Sequence, residues 1–304
     1  MQNTSTVLMI RPVHFAYNAE TAVNNKFQVA GNEEAAQTKA LEEFDVFVEK
    51  LRSNDIDVTV VNDTPEPHTP DSVFPNNWIS FHENGAIVLY PMYAANRRAE
   101  RKQHVLDTIG NKFNIVNRID LTGYENSNIF LEGTGSMVLD RDNKIAYAGV
   151  SERTNIRVLE DWCNQFGYIS CSFKATDANG DEIYHTNVMM CVADKYVVIC
   201  LDSITNNSER KNVINTIAKT GKEIITISVE QMNRFAGNML QLQNKKGEKI
   251  VVMSEQAFKS LTYEEISTLE KYNRIVSTDL DSIEMNGGGS ARCMIAEIFL
   301  DQII

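Results

Sequence analysis

Residues 78–90 read Trp-Ile-Ser-Phe-His-Glu-Asn-Gly-Ala-Ile-Val-Leu-Tyr, and this stretch decides the architecture. Two β-forming apolar segments flank Glu83-Asn84-Gly85, and Asn-Gly is the strongest short hairpin signal. The same plan recurs along the chain. Residues 136–149 form a second hairpin turning at Asp140-Arg141-Asp142-Asn143. Residues 188–201 form a third turning at Ala193-Asp194-Lys195, and 239–254 a fourth turning at Asn244-Lys245-Lys246-Gly247. The starts are spaced by about fifty residues, the range of propellers and repeat arrays.

Each hairpin leads into a helical pattern and one more strand: 97–109 then 114–119, 152–166 then 168–173, 208–220 then 223–229, and 255–272 then 274–278. One further step reaches Ala291-Arg292-Cys293, where a single strand remains before the chain ends. The missing pieces stand at the other terminus: strand 7–11, helix 32–53 and strand 57–61. In that helix Leu41, Phe44, Val48 and Leu51 recur at three- and four-residue spacing. The pattern predicts an α/β fold of five ββαβ units closed into a ring, the last unit built from both termini. Such closure leaves few exposed sheet edges. It also predicts one domain over 1–304, because a unit shared by the termini leaves no internal boundary.

Composition narrows the function classes. The chain has 304 residues, 43% hydrophobic and 23% charged, with a net charge of −12. That charge argues against nucleic acid and against anionic membranes. No apolar run approaches a membrane span. Met1-Gln2-Asn3-Thr4-Ser5-Thr6 lacks the cationic and apolar regions of a signal peptide. The five cysteines are an odd number without a CxxC pair, so neither a disulfide framework nor a structural zinc site is expected. A reduced, cytoplasmic protein with a small-molecule partner is expected, a homo-oligomer being left open. Cys163, Cys171, Cys191 and Cys200 lie in strand or helix patterns and read as core.

In a pseudo-symmetric ring the residues entering each hairpin face a common centre. They are Asp71, Asn76 and Asn77; Glu132; His185 and Asn187; Asn233 and Asn238; and the run Gly287-Gly288-Gly289-Ser290-Ala291-Arg292-Cys293. A thiol with an imidazole in reach, and a carboxylate to orient that imidazole, is the arrangement of an activated nucleophile. Glycines let the backbone approach a reactive group closely, and the adjacent Arg292 is expected to lower the thiol pKa.

Gly-Gly-Gly-Ser-Ala-Arg-Cys-Met, Leu-Glu-Gly-Thr-Gly-Ser, Tyr-His-Thr-Asn and Gly149-Val150-Ser151-Glu152-Arg153-Thr154-Asn155 resemble motifs of the guanidino-group-modifying enzymes. That superfamily includes arginine deiminases, dimethylarginine dimethylaminohydrolases and amidinotransferases. Arg11-Pro12 with Asn18, Asn24-Asn25-Lys26-Phe27-Gln28, and 71–78 are most similar to its citrulline-utilisation hydrolases. The resemblance implies a five-bladed α/β-propeller (pentein). It also implies Cys293 as nucleophile, His185 as general acid/base and Glu132 as its orienting carboxylate. Arg153 then grips the substrate α-carboxylate, Asp71 meets the α-amino group or the side-chain nitrogens, and Asn238 joins the site. Arg98 or Arg101 is a candidate second cation near the mouth, with a solvated helix face the favoured reading of both. No metal or organic cofactor is needed.

Members acting on a guanidinium hold it with carboxylates at two positions that here are Asn77 and Asn187. Two amides cannot neutralise a buried cation. A ureido group is neutral and matches an amide's donors and acceptor. Citrulline hydrolysis is therefore expected. The rivals are an arginine deiminase, a dimethylargininase or an amidinotransferase acting on a guanidino substrate, and a non-catalytic ring that binds a partner.

Overall fold

The computed structural model describes residues 1–30 and 33–303. Among these the strands form five three-stranded sheets with one shared plan. In each, the middle strand pairs antiparallel on one side and parallel on the other. Ala86–Leu89 lies between Ile79–Phe81 and Asn117–Asp120, and Ile145–Gly149 between Val138–Asp140 and Ile169–Phe173. Tyr196–Ile199 lies between Met190–Val192 and Glu223–Thr226, and Lys249–Ser254 between Leu240–Gln243 and Arg274–Thr278. The antiparallel neighbour arrives by a tight hairpin. The parallel one needs a crossover of a dozen or so residues, which the helices supply.

The fifth sheet joins the two ends of the chain. Thr6–Arg11 runs parallel to Asp57–Asn62 and antiparallel to Ala296–Glu297, with Val7 opposite Glu297 and Leu8 opposite Ala296. Its crossover helix is Glu33–Ser53, residue 32 of the expected helix lying outside the described residues. Ala40, Phe44, Phe47, Val48 and Leu51 bury one face of it, while Leu41 is only half-buried.

Three crossovers differ from the sequence reading. The stretch expected as helix 97–109 is two helices, Ala95–Arg98 and Gln103–Gly110, because Lys102 is extended between them. The stretch 152–166 becomes helical only at Ile156, where the Asn155 side chain caps the Arg157 N–H. The stretch 255–272 divides into Glu255–Ser260 and Tyr263–Glu270, since Thr262 with Glu265 forms a capping box that starts a new helix.

The turns entering the hairpins pack on one another. Thr186 Oγ1 donates to Ser136 O at 2.6 Å, and Asn238 Nδ2 donates to Asn187 O at 2.9 Å. Arg292 N donates to Asn238 Oδ1 at 3.1 Å. Glycines make these approaches possible: a Cβ on Gly133 would strike the Asn76 carbonyl, and one on Gly237 the Val188 carbonyl and, at 2.7 Å, the Met189 carbonyl carbon. Gly237→Ala is therefore expected to cost about 1–3 kcal/mol in urea unfolding. Gly123→Ala, where a Cβ meets nothing within 4 Å, should stay within about 0.5 kcal/mol of the parent.

Candidate active site

Cys293 sits just ahead of the C-terminal strand, with its N–H donating to Ser290 O at 2.9 Å and its side chain buried. Two amides face the sulfur: Asn238 Nδ2 at 3.2 Å and Asn187 Nδ2 at 3.5 Å. His185 precedes the turn Thr186–Val188, and its Nε2 lies 2.7 Å from Glu132 Oε2. The other Glu132 oxygen accepts from Tyr93 N at 2.9 Å. An anion at Nε2 keeps the proton there and leaves Nδ1 as the free acceptor of the neutral ring. Gly135 makes room for that edge, since a Cβ there would lie 2.8 Å from Nδ1. His185 and Cys293 line one small cavity.

Burial alone would raise the Glu132 pKa. Arg153, the His185 hydrogen bond and Arg97 outweigh it and hold the carboxyl at about 2. Burial also disfavours a charged His185, and with Arg153 and Arg97 nearby it prevails over Glu132, bringing the ring down to about 4. Cys293 is pushed upward by burial, against the opposing pull of the Ser290 backbone and the Asn238 amide. The expected lowering by Arg292 does not prevail. Its guanidinium turns away to Ile295 O at 2.8 Å and Glu297 at 2.9 Å. The resting site thus holds a thiol, a neutral imidazole and a carboxylate.

Of the substrate-binding candidates, Asp71, Asn77 and Arg153 line the same cavity, and Asn187 and Asn238 adjoin the sulfur. Asp71 Oδ2 accepts from Asn18 Nδ2 at 2.8 Å and Thr21 Oγ1 at 3.1 Å. Asn77 Oδ1 accepts from Arg97 Nη1 at 2.8 Å. Arg153 lies with Nη1 3.6 Å from Glu132 Oε2 and donates to Thr21 O at 2.8 Å and to Asn24 Oδ1, with the Tyr184 ring 5.0 Å away. Arg98 and Arg101 do not reach the cavity. Arg101 pairs with Glu125 at 2.7 Å, and Arg98 donates to Met92 O at 3.0 Å. The second cation is instead Arg97, buried, forked onto Glu100 at 2.7 and 3.0 Å and 3.7 Å from Asp71.

Residues 18–29 lie across the site. Gln28 Nε2 donates to Gly287 O at 2.9 Å, Asn25 Nδ2 to Gly288 O at 3.3 Å, and Val29 N to Met285 O at 2.7 Å. Beneath them the cavity keeps a free volume of about 10 Å³, room for about one water. Arg153 and Tyr184 also line an outer cleft of about 400 Å³. Among the described residues no cluster of His, Cys, Asp or Glu could hold a metal ion, and no helix is long and apolar enough to cross a membrane.

Residues 11–300 match the family described as N,N dimethylarginine dimethylhydrolase, eukaryotic. The chain belongs to that family. It is accordingly a cysteine-dependent enzyme of the guanidino-modifying superfamily, a hydrolase of the dimethylarginine dimethylhydrolase type. No curated protein matches it. Among solved structures, the N-terminal domain of ArgZ covalently bound to a reaction intermediate shares 18% identity at a TM-score of 0.76, over 96% of this chain and 97% of that one. Full-length ArgZ, an arginine dihydrolase from the ornithine–ammonia cycle in cyanobacteria, matches 98% of this chain with 17% identity and a TM-score of 0.76. This chain spans 41% of that protein's length. A dimethylarginine dimethylaminohydrolase adduct with S-methyl-L-thiocitrulline shares 15% identity at a TM-score of 0.67, over 97% of this chain and 100% of that one. At these identities the likeness concerns the fold.

Arg97 lies outside the motifs from which the site was read, so nothing in the sequence marked it as part of the site. The break before Lys102 turns it inward. Thr21 and Tyr184 were also missed, as neither residue type marks a site by itself.

Two predictions follow from the electrostatics. Iodoacetamide alkylation of Cys293 should rise steadily from about pH 7 to pH 10, since only the thiolate reacts, and Cys293→Ser should abolish the labelling. A plateau already reached near pH 7 would contradict a raised thiol pKa. Acid should also weaken the fold. Glu132, held at about 2, stabilises above its ordinary 4.5 and loses that contribution as pH falls toward 2. His185, held at about 4, costs stability once pH falls below 6.5, because the unfolded ring takes up a proton that the folded one refuses. Urea midpoints should therefore fall between pH 6.5 and 4, and His185→Asn should flatten that part of the curve.

Proposed function

We propose that this enzyme hydrolyses the ureido carbon of citrulline to ornithine, carbon dioxide and ammonia through a thiocarbamoyl-enzyme at Cys293. The observation that carries the reading is the neutral set of amides at the reacting sulfur. Asn187 and Asn238 face Sγ, and Asn77 lines the same cavity. The carboxylates Asp71, Glu100 and Glu132 face Arg97 or Arg153 instead. A guanidinium placed there would meet amides on one side and Arg97, already bonded to Asn77, on the other. Burying a cation without an anionic partner costs several kcal/mol, whereas a ureido group presents N–H donors and a carbonyl to the amides.

In the proposed reaction His185 Nδ1 takes the Cys293 proton as Sγ bonds to the ureido carbon. The imidazolium so formed is stabilised by Glu132. A C–N bond then breaks, and His185 returns the proton to the leaving nitrogen. Next His185 deprotonates one water, whose oxygen displaces Sγ, and the proton passes from His185 to the departing sulfur. The carbamic acid released loses carbon dioxide and frees the second amine, so citrulline and one water yield the three products. The Asn187 and Asn238 amides are the donors for charge developing on oxygen, the kind of interaction whose loss costs about 10²–10³ in rate. Arg153 takes the α-carboxylate with donors now spent on residues 21 and 24, so substrate entry displaces that segment.

The same reading takes the five sheets as blades of one closed α/β-propeller and residues 1–304 as one domain. The buried, unpaired cysteines fit a reducing compartment, the cytoplasm. A guanidino substrate is the second reading, favoured by Asp71, a buried carboxylate on the cavity wall.

The purified enzyme should release ornithine and ammonia from citrulline and neither product from arginine. Cys293→Ser should lower the rate by about 10³-fold or more. Citrulline formed from arginine would move the assignment to the guanidino reading, and an unchanged Cys293→Ser rate would remove the mechanism.

A further inference from the structure

Among the described residues that line the Cys293 cavity, two side-chain oxygens are buried without any hydrogen-bond partner: Asp71 Oδ1 and Gln28 Oε1. Both side chains are more than nine-tenths buried. A buried acceptor left unmade costs about 1–3 kcal/mol, so a pair of them on one cavity wall marks a place for a donor-rich group. Neither can find its partner by rotating. Gln28 Nε2 already donates to Thr21 Oγ1 at 2.9 Å and to Gly287 O at 2.9 Å. With both N–H groups spent, the free atom is the carbonyl. Asp71 Oδ2 is held by Asn18 and Thr21.

Thr21 ties the two acceptors together, and its own carbonyl accepts from Arg153 at 2.8 Å. The acceptor pair therefore adjoins the cation expected to hold an α-carboxylate, while the amides of Asn187 and Asn238 gather at the sulfur. An α-amino acid carries its ammonium one atom from its carboxylate. We propose that Gln28 determines specificity for free α-amino acids: its Oε1, together with Asp71 Oδ1, takes the substrate α-ammonium. Because Gln28 belongs to the segment lying over the site and also holds Gly287, the same side chain ties the closed segment to the presence of that ammonium.

The inference rests on the substrate being an amino acid whose side chain points at Cys293, and it is independent of whether the head is ureido or guanidino. Its test uses two matched pairs: citrulline with 5-ureidopentanoate, and arginine with 5-guanidinopentanoate, the second of each pair lacking only the α-amino group. The parent enzyme should prefer the amino acid of whichever pair it turns over. Gln28→Met should lower kcat/KM for that amino acid by about 10- to 100-fold more than for its desamino counterpart, the loss of a hydrogen bond to a charged group, any loss of the bonds to Thr21 and Gly287 falling on both alike. Gln28→Glu, which keeps an acceptor and loses the bond to Gly287 O, should retain more of the discrimination than Gln28→Met. An equal loss on both members of the pair would reduce Gln28 to a latch and overturn the proposal, as would no loss on either. Turnover of the arginine pair alone, with discrimination lost in Gln28→Met, would sink the citrulline assignment and leave this one standing. A parent enzyme that acts on none of the four compounds would defeat both.

Discussion

A fully buried carboxylate, Glu132, is the constraint on which the centre of this molecule depends. An isolated charge in such a place would cost several kcal/mol. It persists because His185, Arg153 and Arg97 stand 2.7, 3.6 and 4.0 Å from one oxygen and the Tyr93 N–H 2.9 Å from the other. Those partners come from different repeats, so the ion cluster doubles as a set of tertiary ties. Arg97 is in turn matched by Glu100 and Asp71. Deleting any one member strands the others, and none of the group can be read as belonging to catalysis or to folding alone.

In the proposed function, balance within that cluster governs what the site accepts. Two guanidinium groups face three carboxylates around the wall, and the atoms nearest the sulfur are uncharged amides. A zwitterion with a neutral tail adds no net charge to this arrangement, whereas a cationic tail adds one beside uncharged amides, the carboxylates being turned to Arg97 and Arg153. The same burial that makes the cluster strong keeps Cys293 protonated and His185 neutral at rest. In the proposed reaction, proton movement between them is coupled to the chemical step, in a space that holds about one water.

The segment over the site is tied down at its far end. Its bonds to Gly287 O, Gly288 O and Met285 O are made to the helix end and turn that lead to Cys293. The glycines there are required by contact as well as by conformation: Gly288 has φ +63°, and a Cβ on it would press into the Asn25 and Gln28 side chains. The glycine run therefore serves the closure of the site as much as the placement of the thiol.

The repeat was legible because its signals are local: turn residues at a fixed offset, period-two strands and three- to four-residue helix spacing. Even the sheet shared by the termini followed from the count of leftover strands, and Thr6–Arg11 pairs with Ala296–Glu297. Cys293, His185, Asp71, Asn77 and Arg153 line one cavity, with Glu132 behind His185 and Asn187 and Asn238 at the sulfur, and their proximity was expected from their places in the repeat and their motifs. What the chain did not disclose depends on how side chains turn once distant segments meet. The helix break before Lys102 sends Arg97 inward in place of Arg98 or Arg101. Arg292, adjacent to the nucleophile in sequence, points to Glu297, so proximity along the chain did not become proximity to the sulfur. Burial, a property of the assembled molecule, reversed the expected direction of the thiol pKa. Periodicity and turn chemistry are written into neighbouring residues, but charge compensation and desolvation exist only after the chain has closed on itself.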